Sequence, residues 1–310
     1  MHLVVYLEKT GVDTVEIVRI EFLMLIPEAS RAWLKTAWDM RPVVGETVVR
    51  NAAIRYRGWS LDRADLPALV LIHGFRAHAR WWDHIAPALA DRFRLVAFDL
   101  SGMGDSGHRP TYGRFLHAEE AMAVARAAGF DRAALVGHSY GGIVSLLACK
   151  LYPEIFEGAV LVDTYMFPDG DETKAWVTLP KRRYPTCEDG LKRYRLRPPG
   201  GWPDPEILDY LGRHSLTETA DGWTWKYDPL LIQSLNQESF VPLLRQVEQP
   251  VRYVYGMLSE IVHSDMVPLA GKLLSVKGPP VPIPASHHHV PVEQPLALIA
   301  ALNALLPLTA

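Results

Sequence analysis

The sequence predicts an α/β fold built on a mostly parallel sheet, and three observations predict it. Between Leu69 and Val162, continuous apolar runs of the kind buried on both faces alternate with helical patterns, which argues for parallel strands joined by right-handed crossovers. From about Tyr165 to Pro242 that alternation stops and Pro, Trp and Tyr accumulate, as in an inserted segment. The chain has 310 residues, 49% of them hydrophobic, enough for one large core plus such an insertion.

The elements follow in order. Residues 1–40 read as an extension of unassigned role, either an added strand and helix or a stretch ahead of a later start at Met24 or Met40. Charges at Glu8, Lys9, Asp13, Glu16, Arg19 and Glu21 break its apolar character, unlike a signal peptide. Glu46–Arg50 and Ala53–Arg57 alternate apolar and polar residues and suit an antiparallel hairpin at the sheet edge. Leu69–Ile72 is a buried strand ending in His73-Gly74-Phe75, and Trp81–Ala90 carries apolar residues at helical spacing. Leu95–Leu100 is the next strand, Ala118–Ala128 an alanine-rich helix, and Ala133–Val136 a third strand of this kind. Gly158–Val162, Val251–Tyr255 and Val281–Pro284 complete the set.

Gly137-His138-Ser139-Tyr140-Gly141 reads G-x-S-x-G between a strand and the helical run Gly142–Ala148, the context of a nucleophile elbow. Such a turn forces its serine into a strained backbone geometry and crowds the residues two before and two after it, hence the glycines. The helix that follows aims N–H groups and partial positive charge at a developing oxyanion.

With His73-Gly74 after one strand and Ser139 after another, the chain resembles the α/β-hydrolases of Ser-His-acid type. The resemblance begins near Arg41. It implies a sheet of the eight-stranded type with helices on both faces, formed by residues 41–164 and 243–310, and a helical cap at 165–242. It further implies oxyanion donors at the backbones of Phe75 and Tyr140, with the His73 side chain structural. Asp99 to Gly107 matches the family's D-x-x-G-x-G-x-S loop, in which Asp99 accepts backbone N–H bonds; this explains its G-x-G better than dinucleotide binding does. Within Ser286–Pro295, only His288 has an acid five residues on, Glu293, and a proline seven on, Pro295, so the resemblance makes His288 the base. Many relatives place the acid three residues after Gly256, where this chain has Ser259. Glu260 is therefore the expected acid, Asp163 after Gly158–Val162 its rival and Asp265 a more distant one.

The implied function is hydrolysis of a carboxylic ester, or related acyl bond, of a small to medium apolar molecule through an acyl-enzyme, without a cofactor. The alternatives are a carbon–carbon bond hydrolase, a cofactor-free haloperoxidase or perhydrolase, and a non-enzymatic ligand-binding protein on the same fold. Serine at the elbow argues against the dehalogenases and epoxide hydrolases of the fold, which use aspartate there. Arg76 is a candidate substrate contact, with a solvated surface residue as the plainer reading.

A formal charge of −3 gives no electrostatic reason for nucleic-acid or membrane-surface binding. The two basic clusters, Lys181–Arg183 and Lys192–Arg197, fall in the insertion and read as solvated faces or an attraction for an anionic substrate. No apolar run is long enough for a membrane span. Two cysteines, Cys149 and Cys187, make no disulfide framework, which fits a reducing cytoplasm. His287–His289 are consecutive and project differently, and no Cys, Asp or further His lies at a useful spacing nearby, so no metal is expected.

Overall fold

The computed structural model describes residues 28–165, 181–201, 203–235, 241–244, 246–262 and 278–308. The hairpin of β1 (Val43–Val49) and β2 (Ala52–Trp59) closes through Arg50 and Asn51. Both have positive φ, 43° and 67°, as a two-residue turn between twisted strands requires. The apolar runs form β3 (Ala68–Ile72), β4 (Arg94–Phe98), β5 (Ala133–His138) and β6 (Phe156–Val162). After the insertion come β10 (Val251–Gly256) and β11 (Val281–Ile283). These strands make one eight-stranded sheet in the order β1-β2-β4-β3-β5-β6-β10-β11. It is parallel from β4 to β11, with β2 antiparallel to both of its neighbours.

Period-two alternation sends each central strand's residues to opposite faces. Val70 and Ile72 join the cluster under α2 (Arg114–Ala127) and α3 (Tyr140–Leu151). Leu69 and Leu71 join the cluster with Trp82, Ile85, Leu89, Leu298 and Leu302 on the other face, where α9 (Pro295–Leu305) lies. Strand order reverses at β3, which has β4 on one side and β5 on the other. Such a switch point opens a crevice at the carboxyl ends of the strands. The loops after β3, β5, β6 and β11 all emerge at that end.

Two expectations are corrected. Residues 81–90 do not form an α-helix but two short 3-10 turns, Ala79–Trp82 and Ala86–Leu89. Their apolar residues are buried as the spacing required, but Pro87 has no N–H to continue a helix. The insertion is not wholly helical. Besides α4 (Cys187–Leu191), α5 (Pro205–His214) and α6 (Leu230–Leu235), it holds a three-stranded antiparallel sheet of β7 (Arg183–Tyr184), β8 (Leu216–Thr219) and β9 (Gly222–Trp225). The cause is legible in β-favouring Thr and Trp on either side of a turn ending at Gly222, whose φ is +102°. Asp265, Met24, Trp176 and Trp202 lie outside the described residues.

Part of the extension is accounted for. Helix α1 (Glu28–Asp39) buries Leu34 in a cluster with Ala77, Trp81, Ile207, Leu211 and Val292, joining core to insertion. Its Trp38 lies 4.3 Å from the ring of Tyr210 on α5. The insertion is also tied to the loop after β4: Gly104 N–H donates to Lys226 O and Asp228 N–H to Gly102 O, at 2.9 and 2.8 Å. Among the described residues, no helix is long and apolar enough to cross a membrane.

Buried histidines give the fold a pH dependence. Burial pulls His73 and His84 down to about 4 and His117 and His289 down to about 3, so each is neutral in the folded chain. Unfolding exposes them to protonation below about 6.5, and stability falls as pH drops through that value and levels off only below their folded pKa values. Burial raises Asp99 to about 6 and Glu120 to about 7, which works in the opposite direction over part of the range. His78, His138 and His214 are lowered as well, so the histidines outnumber the two acids and the melting temperature is expected to fall between pH 7 and pH 5. Calorimetric scans would check this, and a rising melting temperature would contradict it.

Candidate active site

Ser139 sits at the tip of the turn between β5 and α3 with φ 53° and ψ −118°, a conformation strained for any residue but glycine. The turn is held by Ser139 N–H donating to Val162 O at 2.9 Å. The flanking glycines are required by proximity. A methyl group on Gly137 would stand 2.3 Å from the Gly141 carbonyl oxygen, and one on Gly141 would stand 2.4 Å from the Ile72 carbonyl oxygen. The helix therefore starts hard against the end of β3.

His288, on the loop between β11 and α8 (Val290–Glu293), places Nε2 2.9 Å from Ser139 Oγ. Its Nδ1 lies 2.7 Å from Asp163 Oδ1. An ionised carboxylate only accepts, so Nδ1 carries the proton and Nε2 is left to accept from the serine hydroxyl. The loop is braced by Glu293, whose Oε2 accepts from His287 N–H at 2.5 Å, and by His289 Nε2–H donating to Pro198 O at 3.1 Å.

Of the two carboxylates expected from the sequence, the structure brings Asp163 and not Glu260 to His288. Glu260 is exposed, whereas Asp163 is fully buried at the end of β6 and holds the histidine. Asp163 also accepts from Gly256 N–H at 2.8 Å and from Ser259 Oγ–H at 2.7 Å. Three donors satisfy a carboxylate that would otherwise be costly to bury. Ser259, at the position where relatives often carry the acid, thus hydrogen-bonds the acid supplied by the neighbouring strand. Its own oxygen accepts from Ile261 and Val262 N–H, so it turns the loop and leaves Glu260 pointing to solvent.

Tyr140 follows Ser139 directly, and Phe75 follows Gly74, which packs against Ser139. Gly74 packs so closely that a methyl group there would be 3.4 Å from Ser139 Cβ, and the Phe75 and Tyr140 rings meet edge to face at 5.7 Å. Tyr140 is the first residue of α3, at the helix end that carries partial positive charge. Both nitrogens of His73 are spent on backbone. Nδ1–H donates to Gly74 O at 2.7 Å, and Nε2 accepts from Leu100 N–H at 3.1 Å, which locks the loop after β3 to the end of β4. Asp99 accepts from Ala79 and Asp105 N–H at 2.6 and 2.8 Å.

Sequence spacing missed His138. Its ring stacks on Trp81 at 5.8 Å, and its Nε2–H donates to the His288 carbonyl at 2.9 Å, clamping the loop that carries the histidine. Burial holds His138 well below the usual imidazole range, and so neutral. His138, His288 and His289 each bring one nitrogen within 4.8 Å of the others, the one such three-residue group among the described residues. The ligand that sequence distance did not show is thus present in space. Both nitrogens of His288 are engaged, however, so an ion there would compete with Ser139 or Asp163. His117 was equally invisible. Its Nδ1 accepts from the Tyr140 hydroxyl at 2.7 Å, fixing the side chain next to the serine.

Residues 69–302 match the family model described as alpha/beta hydrolase family. A serine hydrolase-like protein of Danio rerio is 32% identical over 148 residues, 44% of this chain and 45% of that protein. Epoxide hydrolase 4 of Mus musculus is 24% identical over 118 residues, 37% of this chain and 33% of that protein. Each match thus spans less than half of the relative's own length. Among solved structures, a Mycobacterium tuberculosis esterase superposes with a TM-score of 0.69 at 22% identity, covering 96% of this chain and 99% of that one.

Proposed function

This chain belongs to the alpha/beta hydrolase family, and we propose that within it the protein is a serine hydrolase that cleaves carboxylic esters through an acyl-enzyme. The observation that carries the reading is the continuous relay of Ser139, His288 and Asp163, with links of 2.9 and 2.7 Å. Ser139 Oγ attacks the ester carbonyl while His288 Nε2 takes its proton. Asp163 holds the imidazole in the tautomer this needs and stabilises the imidazolium. The tetrahedral oxyanion rests on the backbone N–H groups of Phe75 and Tyr140, each worth about two to three orders of magnitude in rate. Collapse returns the proton from His288 to the departing alkoxide. Water, deprotonated by the same nitrogen, then attacks the acyl-enzyme and releases the acid and Ser139.

A serine at the elbow separates this reading from that of the epoxide hydrolase relatives, because serine attack on an epoxide carbon would form an ether that water cannot cleave, whereas attack on an acyl carbon forms an ester that it can. The insertion, with its tethers to the loop after β4, serves as the cap that covers the crevice and excludes water.

The test is hydrolysis of a chain-length series of nitrophenyl esters. Turnover with an optimum among the short to medium acyl chains is expected. Absence of turnover across the series would overturn the ester reading and favour cleavage of a carbon–carbon bond between carbonyl groups.

A further inference from the structure

Arg76 follows the proposed oxyanion donor Phe75 directly, and its surroundings differ from those of a solvated surface arginine. Its guanidinium carbon lies 5.5 Å from the centroid of the Phe75 ring and 4.5 Å from that of Tyr227, which the insertion contributes. The charged group is therefore held against aromatic faces where insertion and core meet. Its Nε is buried with no hydrogen-bond partner. Among the described residues, none of the ion pairs involves Arg76, whereas Arg57 and Arg80 pair with Asp83. Its backbone is in the left-handed region, φ 59°, and is held there by Arg76 N–H donating to Met103 Sδ at 3.1 Å.

These observations fit together physically. A buried guanidinium donor without an acceptor costs free energy, and so does a non-glycine residue at this φ. Stacking occupies the faces of the guanidinium and leaves its edge, a planar fork of N–H donors suited to two carboxylate oxygens. No acceptor for it lies among the described residues, and a substrate can bring one.

The geometry points to Arg76 as a specificity residue for esters that carry a free carboxylate several bonds from the scissile carbonyl. The inference rests on the serine esterase reading above and narrows its substrate class from apolar esters to half-esters of dicarboxylic acids. The fixed cation beside the oxyanion loop orients such a molecule with its carbonyl at Ser139 and its carboxylate on the Arg76 edge.

Monoethyl adipate and ethyl hexanoate make a matched pair, differing only in a carboxylate in place of the terminal methyl. The readout is the ratio of their kcat/KM values in the wild type, Arg76→Gln and Arg76→Lys. The wild type is expected to favour the anionic ester. The ratio should fall about tenfold or more in Arg76→Gln and stay lowered in Arg76→Lys, which keeps the charge but loses the planar fork. A ratio unchanged within about twofold in both variants would overturn the inference. Should the variants fail to fold, the wild-type ratio in rising NaCl takes their place: it should decline with salt, and a salt-independent ratio would count against the inference.

Calorimetric titration of Ser139→Ala with monoethyl adipate separates this inference from the esterase reading. Binding that is lost in Ser139→Ala/Arg76→Gln would support the Arg76 site even if the wild type cleaved neither ester. Equal binding by both proteins would overturn it even if both esters were cleaved.

Discussion

Asp163→Asn is expected to lower kcat for ester hydrolysis by about 10⁴-fold, while Glu260→Gln changes it by less than about twofold. The difference follows from the bonds each residue makes. Asp163 Oδ1 receives the proton-bearing Nδ1 of His288 at 2.7 Å, deep beneath the sheet's carboxyl edge. In an amide, Gly256 N–H, which donates to Oδ2, keeps the oxygen at that position, so the NH₂ takes the place of Oδ1 and faces the imidazole. The ring then presents Nδ1 as an acceptor and Nε2–H toward Ser139, the tautomer that cannot take the serine proton. Glu260 is exposed and takes no part in this chain of bonds. Steady-state kinetics on one nitrophenyl ester compares the two variants. A large loss in Glu260→Gln with little loss in Asp163→Asn would return the acid to the loop after β10.

The parts legible in the sequence were those set by local pattern. Continuous apolar runs fixed β3, β5 and β6, because a strand buried on both faces has no other way to be written. Gly137 and Gly141 marked the elbow because a side chain at either would collide with backbone. The acid was not legible in the same way. Asp163 and Glu260 each follow a strand, β6 and β10, and these two strands run side by side in the sheet. Sequence spacing along one strand cannot say which neighbour supplies the carboxylate. One signal was available: Ser259 in the usual acid position is a short donor, suited to bond a carboxylate arriving from elsewhere. His138 and His117 were hidden for a related reason, since their partners are 150 and 23 residues away and meet them only through tertiary packing. Trp81–Ala90 went the other way, because helical spacing of buried residues was present but Pro87 prevented the hydrogen bonds.

Ser139→Ala is expected to reduce turnover by about 10⁶-fold, leaving only what the oxyanion donors and substrate binding supply. Fold stability should change little, because the Oγ that is removed bonds only His288 Nε2 among the contacts described for it, and the strain at φ 53° persists in alanine. The most direct measurement of the proposed mechanism is intact-protein mass after reaction with a fluorophosphonate, which an activated serine attacks at phosphorus with loss of fluoride. A single adduct is expected in the wild type, mapped by peptide sequencing to Ser139, with none in Ser139→Ala and much slower labelling in Asp163→Asn. A wild-type protein that stays unmodified, or an adduct that persists in Ser139→Ala, would contradict it.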